Sequence, residues 1–139
     1  MRFSTVKGVN ISGLCACVPA NEVDNAEFGA GLFGNDPALT QKLLDLAAKN
    51  GERLWAMPVW DEDLVILQEK CVADLNNAGP REGGASLAAL FLKQFIREGT
   101  PWAHLDIAGP AWQNQPEPAR PFGATAFGLR TLLDFSLSV

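Results

Sequence analysis

The residues with the strongest chemical potential lie at 104–106. His104 and Asp106 flank Leu105, and on a strand that spacing puts both polar side chains on one face. A carboxylate beside an imidazole can orient it for general-base work. No Ser or Cys nucleophile accompanies the pair. The favoured reading is structural, with both groups satisfied by neighbours inside a strand. His104 is the only histidine in the chain, so any site built on two or more histidines is excluded. Cys15 and Cys17 share a strand face in the same way. C-x-C without further ligands is more simply two small buried hydrophobes than a metal or redox pair. With Cys71 the cysteine count is three, which makes a disulfide framework improbable.

Two other clusters have weaker chemistry. Asn76 to Gly84 is a Gly-rich loop in front of a helical pattern, a place where free N–H groups can hold an anion. It has neither G-x-G-x-x-G nor G-K-[ST], and close packing explains its glycines. Asp61, Glu62 and Asp63 could attract a cation, but they fit the first turn of a helix better. Asp74 is a candidate buried carboxylate of unassigned role. Trp55, Trp60, Trp102 and Trp112 read as core and interface anchors. Spacing alone therefore assembles no active site.

The elements that would carry these groups follow from periodicity. Residues 5–18 read as a strand ended by Pro19, and 20–36 as a Gly- and Asn-containing loop. Asp36 is a helix cap with Pro37 at the first helical position, and the helix runs to Lys49 before Asn50-Gly51. Arg53 to Trp60 is an extended segment. Asp61 caps a helix whose stripe is Leu64, Leu67 and Cys71. Ala73 to Leu75 is a short strand, and Ser86 to Ile96 a helix apolar nearly all round, hence buried on more than one side. Trp102 to Ile107 is a buried strand, 108–124 a long Pro- and Gly-rich loop, and Thr125 to Leu137 the last helix. Strand, helix, strand, helix over 73–137 predicts a βαβα unit with a parallel pair. No internal repeat is visible.

The chain has 139 residues, 47% of them apolar and 19% charged, which is a globular composition suited to one domain. Eleven basic and 16 acidic residues leave a net charge of −5. That acidity argues against nucleic acid as a partner. No run of 18 apolar residues predicts a membrane span, and no signal-peptide pattern opens the chain. A cytoplasmic location is the expectation.

The segments AGLFGND at 30–36, GERLWAMP at 51–58, VADLNN at 72–77, GGASLAALFL at 83–92, WAHLDIAG at 102–109 and GATAFGLRTLL at 123–133 occur in this order. Together they resemble the C-terminal end of a leucyl aminopeptidase of the M17 peptidase family, over roughly residues 29–139. The resemblance implies an α/β fold. It would be a partial α/β/α sandwich, the C-terminal portion of the catalytic domain, with an N-terminal β-strand added. It implies a cytosolic, two-metal hydrolase, usually hexameric, in which Zn or Mn activates a water for attack on the first peptide bond. The family's metal ligands are a Lys, several Asp and a Glu. With the catalytic Lys and Arg, they lie in a Lys-containing segment and an N-T-D-A-E-G-R-L type motif. No residues here match them, so no metal ligand, catalytic residue or cofactor is expected in this chain. What carries over is a substrate-binding wall at Ala108, Gly109 and Ala111, which receives the substrate's N-terminal side chain. A small residue at Ala111 implies a roomier pocket, with Trp112 and the loop to Phe122 near its entrance.

Residues 1–28 resemble another family. VKGVNISGL at 6–14 and VPANEVDN at 18–25 look like the opening strand and loop of a β-ketoacyl-ACP synthase III. Cys15 and Cys17 do not match that family's nucleophile. The leading expectation is a fusion or truncation joined near Phe28, inactive alone, with peptide substrates belonging to the intact family. The alternative is a non-catalytic module that self-associates or docks on aminopeptidase subunits through faces normally covered. A lipid-synthesis condensing enzyme has only the first 28 residues behind it.

Overall fold

A computed structural model describes residues 29–69, 73–80, 82–116, 118 and 121–138. The strand expected at 5–18, Cys15, Cys17 and Cys71 lie outside them. The architecture is mixed α/β. A three-stranded sheet has the order β2 (Leu54–Ala56), β1 (Ala30–Gly34), β3 (Ala103–Asp106). β1 pairs parallel with β2 and antiparallel with β3. The helices are α1 (Pro37–Lys49), α2 (Leu64–Gln68), α3 (Gly84–Lys93) and α4 (Leu129–Leu137). A two-residue ladder joins β4 (Trp112–Gln113) to β5 (Gly123–Ala124).

β1 replaces part of the loop expected at 20–36. Its glycines serve close packing, not a turn. A Cβ on Gly34 would lie 2.6 Å from Thr40 Oγ1 and 3.2 Å from the Trp102 carbonyl oxygen, so only glycine lets the three segments meet. Leu32 and Phe33 point to opposite faces and both are fully buried, so the strand is covered on both sides.

α1 forms as its signals predict. Asp36 Oδ1 accepts the Leu39 N–H at 2.6 Å, Pro37 opens the helix, and Leu43 and Ala47 are its buried stripe. α1 links β1 to β2, so the parallel pair is 30–56 and not in the βαβα unit expected over 73–137. β3 returns antiparallel, and residues 73–75 are bends, not a strand. The described residues of the 76–84 connection hold no strand to pair.

Leu67, Leu87 and Leu90 form a second buried cluster, with Val59, Leu64 and Phe91 packed against it. Only one face of α3 enters it. Ala89, on another side of the helix from Leu87, is also fully buried, as burial on more than one side requires, while Ala88 and, beyond the helix end, Phe95 are exposed. Asp61 does not cap α2. It begins a 3-10 turn, Asp61–Asp63, and its carboxylate takes the Lys93 ammonium at 2.6 Å, tying that turn to α3. β3 is half-buried where full burial was expected.

α4 packs antiparallel on α1. Lys42 reaches the Ser138 carbonyl oxygen at 3.1 Å and sits over the Phe135 ring. Asn50 and Lys49 both donate to Asp134 at 3.1 Å. α4 starts four residues later than its apolar pattern predicts. Ala126 at φ +55° and Gly128 at φ +86° turn the backbone before it.

Candidate functional site

β3 ends in a tight turn, and the turn carries the residues of interest. Asp106 Oδ1 accepts the Ala108 N–H at 3.1 Å, bending the chain as it leaves the strand. The Ala111 N–H donates to the Ile107 carbonyl oxygen at 3.0 Å and closes the turn. Ala108, Gly109 and Ala111 are half-buried and Pro110 is buried. These small side chains leave the turn's surface made largely of backbone.

The turn is held from the other side by Thr125. Its N–H donates to the Ala111 carbonyl at 3.0 Å and its hydroxyl to the Pro110 carbonyl. Within the long loop expected at 108–124, two short strands pair antiparallel. Trp112 pairs with Ala124 and Gln113 with Gly123. The Trp112 and Phe122 rings meet edge to face at 5.6 Å, and both remain exposed. Gln113 is buried and donates through Nε2 to the Gln115 carbonyl oxygen at 2.6 Å.

His104 and Asp106 share a face of β3, as their spacing predicts, and lie opposite Phe33 and Gly31 of β1. The imidazole sits beside the rings of Phe33, at 5.9 Å, and Trp102, at 6.4 Å. Burial lowers its pKa below the ordinary value, partly offset by the Asp106 carboxylate. Asp106 shapes the turn and His104 fills an aromatic stack. Asp106 is thus satisfied by a neighbouring backbone N–H, as the structural reading expects of it.

The other candidates do not gather here. Asp74 is exposed, not a buried carboxylate. In the Gly-rich loop only Gly79 serves close packing, since Gly83 takes φ +70° and a Cβ at Gly83 or Gly84 would meet nothing within 4 Å. A Cβ on Gly79 would lie 2.8 Å from Leu87 Cδ1, and Asn76 Oδ1 accepts the Ala78 N–H at 3.0 Å. A small cavity of about 110 Å³ lies between this loop and α3, lined by Leu67, Asn77, Pro80 and Leu87 among others. Trp55, Trp60 and Trp112 are exposed and only Trp102 is partly covered, so three of the four are not core anchors. Among the described residues, no three His, Cys, Asp or Glu side chains form a group that could hold a metal ion. Among them, too, no helix is long and apolar enough to cross a membrane.

Glu52 was not singled out by sequence reasoning. It is 6% exposed and accepts from the Gly128 N–H, the Thr131 N–H and the Thr131 hydroxyl. The Arg130 guanidinium lies 3.8 Å away. The carboxylate thus caps α4 from outside the helix, and it fixes where the segment carrying Thr125 enters. The only available signal was an acid wedged between a helix-ending glycine and a strand. Its partners are too distant in sequence for spacing to reveal.

A family model described as "cytosol aminopeptidase family, catalytic domain" matches residues 19–133. A probable cytosol aminopeptidase of Aquifex aeolicus is 40% identical over 136 residues, 98% of this chain and 28% of that protein. One from Cyanothece sp. is 41% identical over 127 residues, 91% of this chain and 24% of that protein. Among solved structures, a bottromycin maturation enzyme in complex with Mn has 38% identity and a TM-score of 0.72. It covers 80% of this chain and 25% of its own. The cytosol aminopeptidase of Coxiella burnetii has 37% identity and a TM-score of 0.70, covering 78% of this chain and 23% of its own. The chain spans about a quarter of the length of these relatives. The match starts at residue 19 and, in the Aquifex relative, takes in nearly the whole chain. It therefore reaches into the segment that resembles a synthase, and the synthase resemblance gains no support.

Proposed function

From the premise that the chain belongs to the cytosol aminopeptidase family, we propose that it supplies one wall of that family's substrate pocket. Ala108, Gly109 and Ala111 line the recess for the N-terminal side chain of a peptide. The observation that carries this is the turn after β3, a half-buried stretch of small residues held from both sides by Asp106 and Thr125. Small residues there leave room for a branched or aromatic side chain, and Trp112 and Phe122 flank the approach.

The chemistry comes from elsewhere. Among the described residues no three His, Cys, Asp or Glu side chains form a group that could hold a metal ion. When bound in the intact family, Zn or Mn supplies an activated water. This chain's part is to hold the side chain of the first residue in register. We propose that the 139 residues alone do not hydrolyse peptides, and that the protein works in the cytoplasm. The purified chain, assayed with a leucyl anilide and Mn or Zn, is expected to show no metal-dependent release. Such release would overturn the proposed inactivity.

A second reading has its own observation. Trp55 is 71% exposed, and Leu129, Leu133 and Leu137 make an exposed apolar stripe along α4. Such faces favour association with another copy or with aminopeptidase subunits. Light scattering that shows a monomer with no affinity for an intact aminopeptidase would remove this reading. The division into residues 1–28 and 29–139 as separate units is part of the same proposal. Limited proteolysis near Phe28 tests it.

A further inference from the structure

Thr125 stands between two anchors. Upstream, it bonds twice to the turn after β3, through its N–H to the Ala111 carbonyl at 3.0 Å and through its hydroxyl to the Pro110 carbonyl. The Phe127 N–H donates back to the same hydroxyl oxygen at 3.3 Å. Downstream, Ala126 and Gly128 take positive φ, and the Gly128 N–H is held by the buried Glu52 carboxylate. The turn itself is Ala108, Gly109, Pro110 and Ala111. Such small side chains make few contacts of their own, so backbone hydrogen bonds decide where the wall sits.

We infer that Thr125 is a positioning residue that sets the depth of this wall, and so the size of the N-terminal side chain the pocket accepts. The inference rests on the reading of Ala108, Gly109 and Ala111 as that wall. The side-chain contributions are the hydroxyl donor to Pro110 and, more weakly, the acceptor for the Phe127 N–H. Thr125→Val keeps the branched shape and the backbone N–H but removes both hydroxyl bonds. Thr125→Ser keeps the donor and loses only a methyl group. Thr125 is exposed, so neither change disturbs a buried core.

The test uses the full chain and the two variants, with amide hydrogen exchange and NMR titration by L-leucinamide and L-phenylalaninamide. Thr125→Val is expected to speed exchange of the Ala111 amide about five- to tenfold, because that amide's own bond to Ile107 breaks more often once the hydroxyl no longer holds the turn closed. It is also expected to change the ratio of the two amides' affinities at least about threefold. Thr125→Ser restores both. Unchanged exchange in the valine variant, or an unchanged affinity ratio, overturns the role of Thr125. If the wild-type signals of residues 108–111 respond to neither amide, the wall reading itself falls, and this role falls with it.

Discussion

Glu52 and Thr131 lie 79 positions apart in sequence, yet the Glu52 carboxylate accepts both the Thr131 N–H, at 3.2 Å, and the Thr131 hydroxyl. Thr131 is fully buried and Glu52 nearly so. A helix start leaves N–H groups without intrahelical partners, and a side chain just before the helix usually serves them. Gly128 stands at that position and has no side chain to offer. The end of α1 and the start of β2 supply the acceptor instead. One carboxylate thereby locks α4 onto the sheet.

Because the pair is buried, removing one partner strands the other. Thr131→Val is expected to destabilise the chain by about 1–3 kcal/mol, and Glu52→Gln by a similar amount. The double variant should lose less than the sum of the two, since each change removes the same interaction. Urea unfolding of the three variants checks this. Strict additivity would show that the two groups act independently.

The α4 entry offers two opposite backbone effects. Ala126 sits at φ +55°, a conformation that disfavours a Cβ, and Gly128 at φ +86°. Ala126→Gly is expected to leave stability unchanged or raise it by up to about 1 kcal/mol. Gly128→Ala should lower it by about 1–2 kcal/mol. Thermal melts of both variants decide the point, and a stabilised Gly128→Ala protein would contradict the observed geometry.

The α1 cap is a separate test. Asp36→Ala removes the acceptor of the Leu39 N–H and should cost about 1 kcal/mol, while Asp36→Ser should recover most of it. Equal loss in both variants would mean that the cap contributes little.

Two groups make stability depend on pH in distinct windows. The folded chain holds His104 below its ordinary pKa, mainly through burial. The unfolded chain therefore binds this proton first as pH falls. Stability is unaffected well above the ordinary histidine range and declines as pH drops through it toward the lowered value. Asp134 is held below the usual carboxylate range, first by Asn50 and then by Lys49. Its contribution is full above that range and is lost as pH falls through its lowered value. His104→Gln should flatten the upper window and Asn50→Ala should weaken the lower one. Denaturant midpoints measured across pH follow both. A midpoint that rises on acidification through the histidine range would refute the His104 assignment.

Local signals were read well where the partner groups lie a few residues apart. Asp36, Pro37, Leu43 and Ala47 announced α1 because a cap and a 3.6-residue stripe are complete within 14 residues. The shared face of His104 and Asp106 is legible in the same way, since strand parity alone sets it. Glycine misled at 29–34, because the same residue that permits a turn also permits the close approach of Thr40 and Trp102. The parallel pair is β1 and β2, away from the unit that the pattern predicts, for a related reason. Periodicity recognises strands but carries no information on which one lies beside which. Asp61 had the right type for a cap, but an ammonium on α3 drew it away.

The amino-acid sequence by itself determined the mixed α/β composition, the first long helix and the family to which the chain belongs. The short ordered runs that carry that likeness need no folding to be read. Tertiary structure alone decided that β1 is central and that β3 runs antiparallel to it. It also decided that Glu52 caps α4 and that Thr125 clamps the turn at Ala108 to Ala111. Each of those depends on a polar or apolar group meeting a partner far along the chain. Such a meeting is set by the burial of the whole sheet and its helices, and no local spacing encodes it.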